Sequence, residues 1–132
     1  MANEAVITDM SEPKTLSFKC ATGTAIAKGE VMELTDPRTV KKISADNKPV
    51  IGIAAWEKSA TDTKAWMAVH VECVAKMTVG ATAATVGFLQ ACHAGDNTIG
   101  DADANDVDEG LTIGTALETG ATGESIYVWI HK

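Results

Sequence analysis

Hydrophobic and polar residues alternate with a period of two along much of the chain, most clearly from residue 67 to residue 79. The odd positions of this segment are Met, Val, Val, Cys, Ala, Met and Val, whereas the even positions are mostly polar. A period of two places successive side chains on opposite faces of a strand. Residues 67–79 are therefore predicted as one long strand, with one face in a core and the other mostly in solvent.

Shorter segments with strand character, separated by turn signals, fill most of the remaining chain. Alternation begins at Leu16, Phe18 and Cys20, and Asp36-Pro37 and Asp46-Asn47 mark later turns. Further strands are predicted within residues 31–34, 40–45, 50–55 and 86–92 and in the last part of the chain. No long window has a helical stripe with caps. The pattern predicts an all-β fold.

One strand, turn and strand unit occurs twice. The first copy, IGIAAWEKSATDTKAWMAVHV, covers residues 51–71, and the second, IGTALETGATGESIYVWIH, covers residues 113–131. Gly52 and Gly114 occupy the same place in the two copies, where glycine permits a bulge or a close approach of two backbones. We interpret the repeat as two related hairpins that close one β-barrel.

The N-terminal segment differs from the rest of the chain. Residues 1–14 carry acidic residues, a proline at position 13 and little periodicity, which favours a segment that is extended or poorly ordered until a partner binds it. We therefore divide the chain into an extended N-terminal arm, residues 1–15, and a single β domain, residues 16–132. A chain of 132 residues is long enough to bury a core without disulfides or metals.

Charge and composition restrict the classes of partner. The net charge of −7 argues against a nucleic acid, whose phosphates would be repelled. No apolar run approaches the roughly 20 residues that span a bilayer, and the first residues lack a signal-peptide pattern, so we expect no membrane partner. Cys20, Cys73 and Cys92 are an odd number without close spacing, and we expect free, mostly buried thiols from a cytosolic site of synthesis.

Two groups of residues suggest metal sites at first sight. Asp101, Asp103, Asn105, Asp106 and Asp108 would supply oxygen ligands for calcium, but an EF-hand that starts at Asp101 needs Gly at 106 and Glu at 112, where this chain has Asp and Thr. A solvated acidic loop within residues 94–110 is the preferred interpretation.

A zinc site would need His70, Cys73, Cys92 and His93. His70 and Cys73 are three apart in a strand and point to opposite faces, so we favour a buried structural Cys73 and an exposed His70. We expect no metal and no cofactor.

Catalytic motifs do not appear in the sequence. It contains no G-x-S-x-G, no P-loop and no dinucleotide fingerprint. We therefore expect no enzyme activity.

Four of the six aromatic residues fall in the two repeat copies: Trp56, Trp66, Tyr127 and Trp129. In the last strand, Ile126, Val128 and Ile130 share one face, and Tyr127, Trp129 and His131 share the other. Both faces are partly apolar, which indicates that another chain, or the N-terminal strand of the same chain, covers one of them.

The order of these segments resembles a known family. The succession is GEVMEL, a hairpin into PVIGIA, the alternating strand VHVECVAKM, a middle VGFLQA, an acidic loop, and GLTIGTALETGATGESIYVWI. Over residues 16–132 it resembles the small capsid decoration, or cementing, proteins of tailed bacteriophages and related viruses. The specificity lies in the whole arrangement, in particular the two I-G-x-A strands.

The resemblance implies a β-tulip-like, mostly antiparallel barrel or sandwich on the outer surface of an icosahedral capsid built from HK97-fold protein. It implies a structural virion protein that binds the major capsid protein, stabilises the shell by bridging its subunits, and associates with itself as a homotrimer in preference to a dimer. We expect arm or arm-base contacts from Ile7, Met10, Leu16 and Phe18. Trp56, Trp66, Tyr127 and Trp129 are expected in the oligomer interface or in the core beside it.

Two alternatives from other classes remain open. A host- or carbohydrate-binding module on the virion would use an exposed aromatic platform at Trp129 or Trp56. A small hydrolase would use His70 or His93.

Overall fold

A computed structural model describes residues 3–20, 23–46, 48–63, 65–93 and 95–131, and only the backbone of residues 9–13. Its strands are β1 (Val6–Cys20), β2 (Val31–Asp36), β3 (Thr39–Lys42), β4 (Val50–Ala54), β5 (Trp66–Thr78), β6 (Leu89–Ala91), β7 (Gly100–Asp101), β8 (Thr112–Ala116) and β9 (Ser125–Ile130), with one short helix, α1 (Ala104–Asp108). The prediction of an all-β fold is confirmed. None of the helices in the described ranges is long and apolar enough to cross a membrane.

Strand β5 pairs with three other strands, β1, β4 and β9, and joins the two parts of the sheet. Strand β1 pairs along it in antiparallel fashion from Val6–Lys76 to Lys19–Trp66, with register shifts between Ile7 and Thr15. Strands β4 and β9 pair with different parts of β5, at positions 69–70 and 73–78 respectively. The buried odd positions of β5 confirm the predicted alternation, since Met67, Val69, Cys73, Ala75 and Met77 are all buried.

The first part of the sheet closes on itself. Strands β1, β3, β2, β4 and β5 are paired in that order, and the pairing of β1 with β5 completes a ring of five. All these pairs are antiparallel except β1 with β3, which is parallel at Lys19–Thr39 and Cys20–Val40. The ring encloses a core cluster of Phe18, Cys20, Ile26, Met32, Val40, Ala54, Met67 and Val69.

The remaining strands form a second, partial ring of the same design. Strands β5, β9, β8, β6 and β7 are paired in that order. A parallel bridge between Val79 and Ile99 links the end of β5 to the start of β7. We call residues 14–71 the first half and residues 73–131 the second half.

The two halves match each other in register. Strand β2 meets β4 at Val31–Ile53, Met32–Gly52 and Glu33–Val50, with a shift after Met32. Strand β6 meets β8 at Leu89–Thr115, Gln90–Gly114 and Ala91–Thr112, with the shift in the same place. The parallel pair Cys20–Val40 likewise corresponds to Val79–Ile99. The repeat therefore extends well beyond the two hairpins seen in the sequence.

Hydrogen bonds in the turns repeat as well. Ile26 and Lys58 exchange two backbone hydrogen bonds, and so do Ala84 and Gly120. Gly29 and Gly87, at equivalent turn positions, both have positive φ, 87° and 83°, which glycine adopts without steric cost. The amide of Gly29 donates to Ala54 O as that of Gly87 donates to Ala116 O. The fold is thus an internal duplication in which β5 ends one unit and begins the next.

Gly52 and Gly114 confirm the predicted close approach of backbones. A Cβ atom at Gly52 would collide with the carbonyl oxygen of His70, and one at Gly114 with that of Trp129. Each glycine therefore lets the first strand of its hairpin lie against the second.

A second core cluster fills the second half and also joins the halves. It contains the interior residues of the second ring, such as Met77, Ile126 and Val128, together with Val31 and Ile53. Those two residues lie on the outer face of the first ring, since their neighbours Met32 and Ala54 belong to the first cluster. The second half, together with Ala5 of the N-terminal segment, therefore covers one outer face of the first.

The N-terminal segment is part of the sheet. The proposed division at residue 15 falls inside β1, and Val6, Ile7 and Asp9 pair with Lys76, Ala75 and Val74. Ala5 is buried in the second cluster, and Ile7 packs against it. The segment is extended, as predicted, but it is held by β5 in the free chain.

Residues 94–110 differ from the predicted open loop. They include β7 and the helix α1, which begins with a capping box between Asp103 and Asp106. Asp106 is buried, so not every acidic residue of this stretch projects to solvent. The short helix has too few residues for a periodic signal, which is why the sequence pattern did not reveal it.

Candidate interaction surfaces

The four aromatic residues of the repeat copies are all on the surface of the chain. Trp56, Trp66, Tyr127 and Trp129 are each between 39% and 46% exposed, so none belongs to either core cluster. Strand geometry explains this for Tyr127 and Trp129, because the alternate residues of β9 are buried. The predicted place of these residues in an oligomer interface stays a prediction. The alternative, a place in the core beside that interface, does not agree with their exposure.

Trp66 forms a cationic surface on the first half. Lys19, its partner across β1 and β5, places its ammonium group 5.8 Å from the ring centroid, and the Arg38 guanidinium is 5.5 Å from it. Cations above an aromatic ring are attracted by the ring quadrupole. The pair of cations would favour an acidic partner at this surface.

Tyr127 and Trp129 lie on the second half, away from Trp66. Trp129 is opposite Val74 and Tyr127 is opposite Lys76, so Trp129 and Trp66 are eight residues apart along β5. At about 3.3 Å per residue, this corresponds to roughly 26 Å. The structure therefore separates Trp66 from Tyr127 and Trp129, which the sequence had grouped together.

The exposed aromatic residues of the second half contact polar and charged side chains. The ring of His131 contacts that of Trp129 at a centroid distance of 4.3 Å, and its Nε2 lies 2.8 Å from Thr115 Oγ1. Lys76 Nζ lies 5.6 Å from the ring centroid of Tyr127. These contacts hold both aromatic side chains in place, which lowers the entropy cost of binding a partner.

The residues predicted for arm contacts occupy different environments. Leu16 is 53% exposed, whereas Phe18 is buried inside the first ring and is a core residue, with little surface for a partner. Ile7 is half-buried against the second cluster. The side chain of Met10 lies outside the described part of the chain.

The acidic stretch is used for internal hydrogen bonds. Asp101 accepts from Thr85 N at 2.8 Å, Thr85 Oγ1 at 2.6 Å and Gln90 Nε2 at 2.8 Å. Burial acts to raise the pKa of Asp101, but these hydrogen bonds outweigh it and lower the pKa below its ordinary value. Asp101 thus anchors the loop to the second ring.

Of the candidate catalytic and zinc-binding residues, His70, Cys73 and Cys92 are buried and His93 is half-buried. His70 is 6% exposed, whereas the sequence predicted an exposed side chain, and its Nδ1 has no hydrogen-bond partner in the described structure. Burial, followed by the charge of Lys28, lowers its pKa. Among the described residues, no group of three or more His, Cys, Asp and Glu is placed to hold a metal ion.

The three cysteines are buried and none of them forms a disulfide, as predicted. Burial raises the pKa of the Cys73 thiol to about 11 and that of Cys92 to about 12. A thiol is a poor nucleophile when its pKa is raised in this way.

A groove of about 470 Å³ lies beside the bridge between Ile26 and Lys58. Its other lining residues are Ala25, Ala27, Glu30, Lys42, Glu57 and Ser59. Glu30 is 3% exposed and its Oε2 has no hydrogen-bond partner in the described structure, and burial raises its pKa despite the opposing charge of Lys42. The groove was not identified from the sequence, because its residues come from three separate segments.

Comparison with known proteins identifies a fold. No protein-family model and no curated protein sequence matches the chain. The structure is similar to the crystal structure of the N base of the head fiber gp8.5 in bacteriophage phi29, with a TM-score of 0.52 and 13% sequence identity. The match covers 89% of this chain and 94% of the head fiber chain. The chain therefore has the fold of a phage head fiber base.

Proposed function

We propose that the protein is a structural component of a phage virion and lies on the outside of the head. The observation that carries the proposal is the match to the phi29 head fiber base over nearly the full length of both chains. The sequence pattern supports it independently, since its segment order resembles that of capsid decoration proteins. A fold alone does not define a function, so the finer proposal depends on the exposed surfaces of the chain.

The finer proposal is a cementing role. The protein binds the outer surface of an HK97-fold shell, bridges neighbouring copies of the major capsid protein, and associates with itself as a homotrimer. A protein that binds the assembled lattice better than free subunits stabilises the lattice by its own binding free energy. The two exposed aromatic surfaces, around Trp66 and around Trp129, support this role because a protein that binds a capsid and also associates with itself needs more than one contact surface.

The action we propose is mechanical and not catalytic. The two histidines considered for a hydrolase are poorly suited, since His70 is buried and His93 Nε2 is 3.0 Å from Asp101 O. A carbohydrate-binding role for Trp129 or Trp56 is the second candidate, because both rings are nearly half exposed.

The experiment is co-sedimentation of the purified protein with expanded, undecorated capsids, followed by cryo-EM of the pellet. We expect stoichiometric binding to the outer surface and a higher temperature of capsid disruption. A protein that stays in the supernatant while capsids pellet contradicts the cementing role, and specific binding on a glycan array would favour the second candidate.

Surface variants extend the same experiment. Trp66→Ser and Trp129→Ser each remove an exposed ring, and Val107→Ser is the matched control, because Val107 is 47% exposed on α1. We expect at least one tryptophan variant to raise the Kd for capsids by about 10-fold or more, as is typical of an aromatic hot spot. Equal binding by all three variants would remove the aromatic surfaces from the proposal.

A further inference from the structure

The duplication shows that one face of the molecule is covered in the first half and open in the second. On the first half, Val31, Ile53 and His70 lie on the outer face of the ring, and all are buried. Their equivalents on the second half are Leu89, Thr115 and Trp129, by the shared register of the two halves. Leu89 and Thr115 are half-buried, and Trp129 is 44% exposed. Nothing in the described chain covers this face fully.

The surface that covers the first half also has an equivalent. Within the chain, Ile113, Ile130 and Ala75 lie in the cluster that contains Val31 and Ile53. The residues at the same positions of the first half are Ile51, Val71 and Leu16. Ile51 and Val71 are half-buried at the edge of the first cluster, and Leu16 is 53% exposed. We call Leu16, Ile51 and Val71 the open end of the first half.

The other members of the two clusters provide a check on this equivalence. Met77, Val79, Ala84, Ile99, Ala116, Ile126 and Val128 of the second cluster correspond to Phe18, Cys20, Ile26, Val40, Ala54, Met67 and Val69, all members of the first. Interior positions are therefore buried in both halves. The two halves differ in burial at the positions through which one half meets the other.

We propose that a second copy of this chain packs the open end of its first half against the outer face of the second half. The contact between copies repeats the contact that already joins the two halves within one chain. Its occupant is a second copy because the two complementary surfaces, the outer face and the open end, lie on the same molecule. The proposal deepens the self-association in the proposed function and does not require binding to a capsid.

The type of assembly follows from the two surfaces that the contact joins. It joins two different surfaces, so it is heterologous, and it generates a closed ring if the rotation between copies closes and a filament if it does not. Thr115 stands where the first half has Ile53, and the Trp129 ring stands where it has His70. Compared with the internal junction, the interface between copies therefore gains one hydroxyl group and one aromatic ring, and aromatic residues are enriched at protein interfaces.

The test is the oligomeric state of the full chain, measured by light scattering and analytical ultracentrifugation. Trp129→Glu disables the outer face, and Leu16→Glu disables the open end; both sites are exposed in the single chain, so folding is retained. We expect wild type to associate and each variant to raise the Kd of association by about 10-fold or more. Val107→Glu, at a matched exposed apolar site, is expected to associate as wild type does.

Mixing the two variants provides the decisive measurement. In a heterologous contact, the Trp129→Glu chain retains its open end and the Leu16→Glu chain retains its outer face. These two intact surfaces can still bind each other, so an equimolar mixture forms a heterodimer that cannot grow further and that neither variant forms alone. Leu16→Ser replaces Leu16→Glu if circular dichroism shows that the latter is unfolded. Wild type that is monomeric at high micromolar concentration, or a mixture that stays monomeric, overturns the proposal. Monomeric wild type combined with weaker capsid binding by Trp129→Glu would assign the face to the capsid instead.

Discussion

The two halves of the molecule share one backbone design but use it with different side chains. In the first half, the ring interior has Met32 opposite Gly52, and in the second half Gln90 takes this place opposite Gly114. Lys42, the partner of Met32 on β3, corresponds to Asp101, the partner of Gln90 on β7. The close match of registers and turn bonds shows that backbone pairing tolerates large changes in side-chain polarity, provided that buried polar groups find partners.

The halves also differ in what lies outside them. The outer face of the first half is covered by the second half and by Ala5, whereas that of the second half is only partly covered within the described chain. A side chain at the same strand position is therefore core in one half and surface in the other, as His70 and Trp129 show. Burial in this fold is decided by the contact between units as well as by strand alternation.

The largest expected effect is the loss of stability on replacing the glycine of either hairpin, and it tests whether the two positions are equally sensitive. Gly52→Ala and Gly114→Ala should each lower the free energy of unfolding by about 3 kcal/mol or more, because the added Cβ collides with a backbone oxygen that only a shift of a whole strand can relieve. Urea denaturation measures both. Gly123→Ala is the control: its φ is 89° but its surroundings are open, so a cost of only about 1–2 kcal/mol is expected. A mild effect at either tested glycine would break the equivalence of the hairpins.

The next effect concerns the polar network that only the second half has. Asp101→Asn should lower the free energy of unfolding by about 2 kcal/mol at neutral pH, because the carboxylate accepts three hydrogen bonds. Since its pKa is lowered on folding, this contribution is present above the unfolded value of about 3.9 and is lost as pH falls through the folded value. The difference between wild type and variant should therefore shrink below about pH 4. Asp108→Asn, at an exposed position, should change little at any pH.

The smallest effect tests a buried charge that only the first half has. Glu30 corresponds to Phe88, and Glu30→Gln should raise the free energy of unfolding at neutral pH by roughly 1 kcal/mol, because it removes a buried charge with an unpartnered oxygen. Its pKa is raised by burial, so wild type loses stability relative to the variant as pH rises from the unfolded value through the folded one. Glu57→Gln, exposed in the same groove, is the control. A variant with no gain at neutral pH would show that Lys42 compensates the charge fully.

The hairpins and the long strand could be predicted because their signals are local. The alternation in β5 and β9 sets which side chains face the core, and the glycines at 52 and 114 mark close backbone contacts, so both features need only neighbouring residues. The rest of the duplication was hidden because equivalent positions such as Met32 and Gln90 share only a backbone role. Gly29 lies two residues before β2 and Gly87 lies two residues before β6, and this shared spacing was the one sign of the wider duplication that these segments offered in the sequence.

The interaction surfaces were only partly predictable. Aromatic residues at Trp66, Tyr127 and Trp129 indicated a surface or interface role, but their division into two separate regions depends on where β1 and β9 pair along β5. Leu16 was singled out from the sequence, whereas its neighbours Ile51 and Val71 were not, since in an alternating pattern they look like core. Their half-burial follows from the absence of a covering unit within the described chain.

By itself, the sequence determined the all-β class, the faces of the principal strands, the paired hairpins and the buried cysteines without disulfides. These follow from side-chain periodicity and from the steric demands of glycine, which act over a few residues. Only the tertiary structure decided that β5 belongs to two units, that the N-terminal segment completes the sheet, and that His70 is buried while Trp129 is exposed. Those outcomes depend on contacts between residues far apart in the chain, and the same local pattern is compatible with either burial state until the second unit packs against the first.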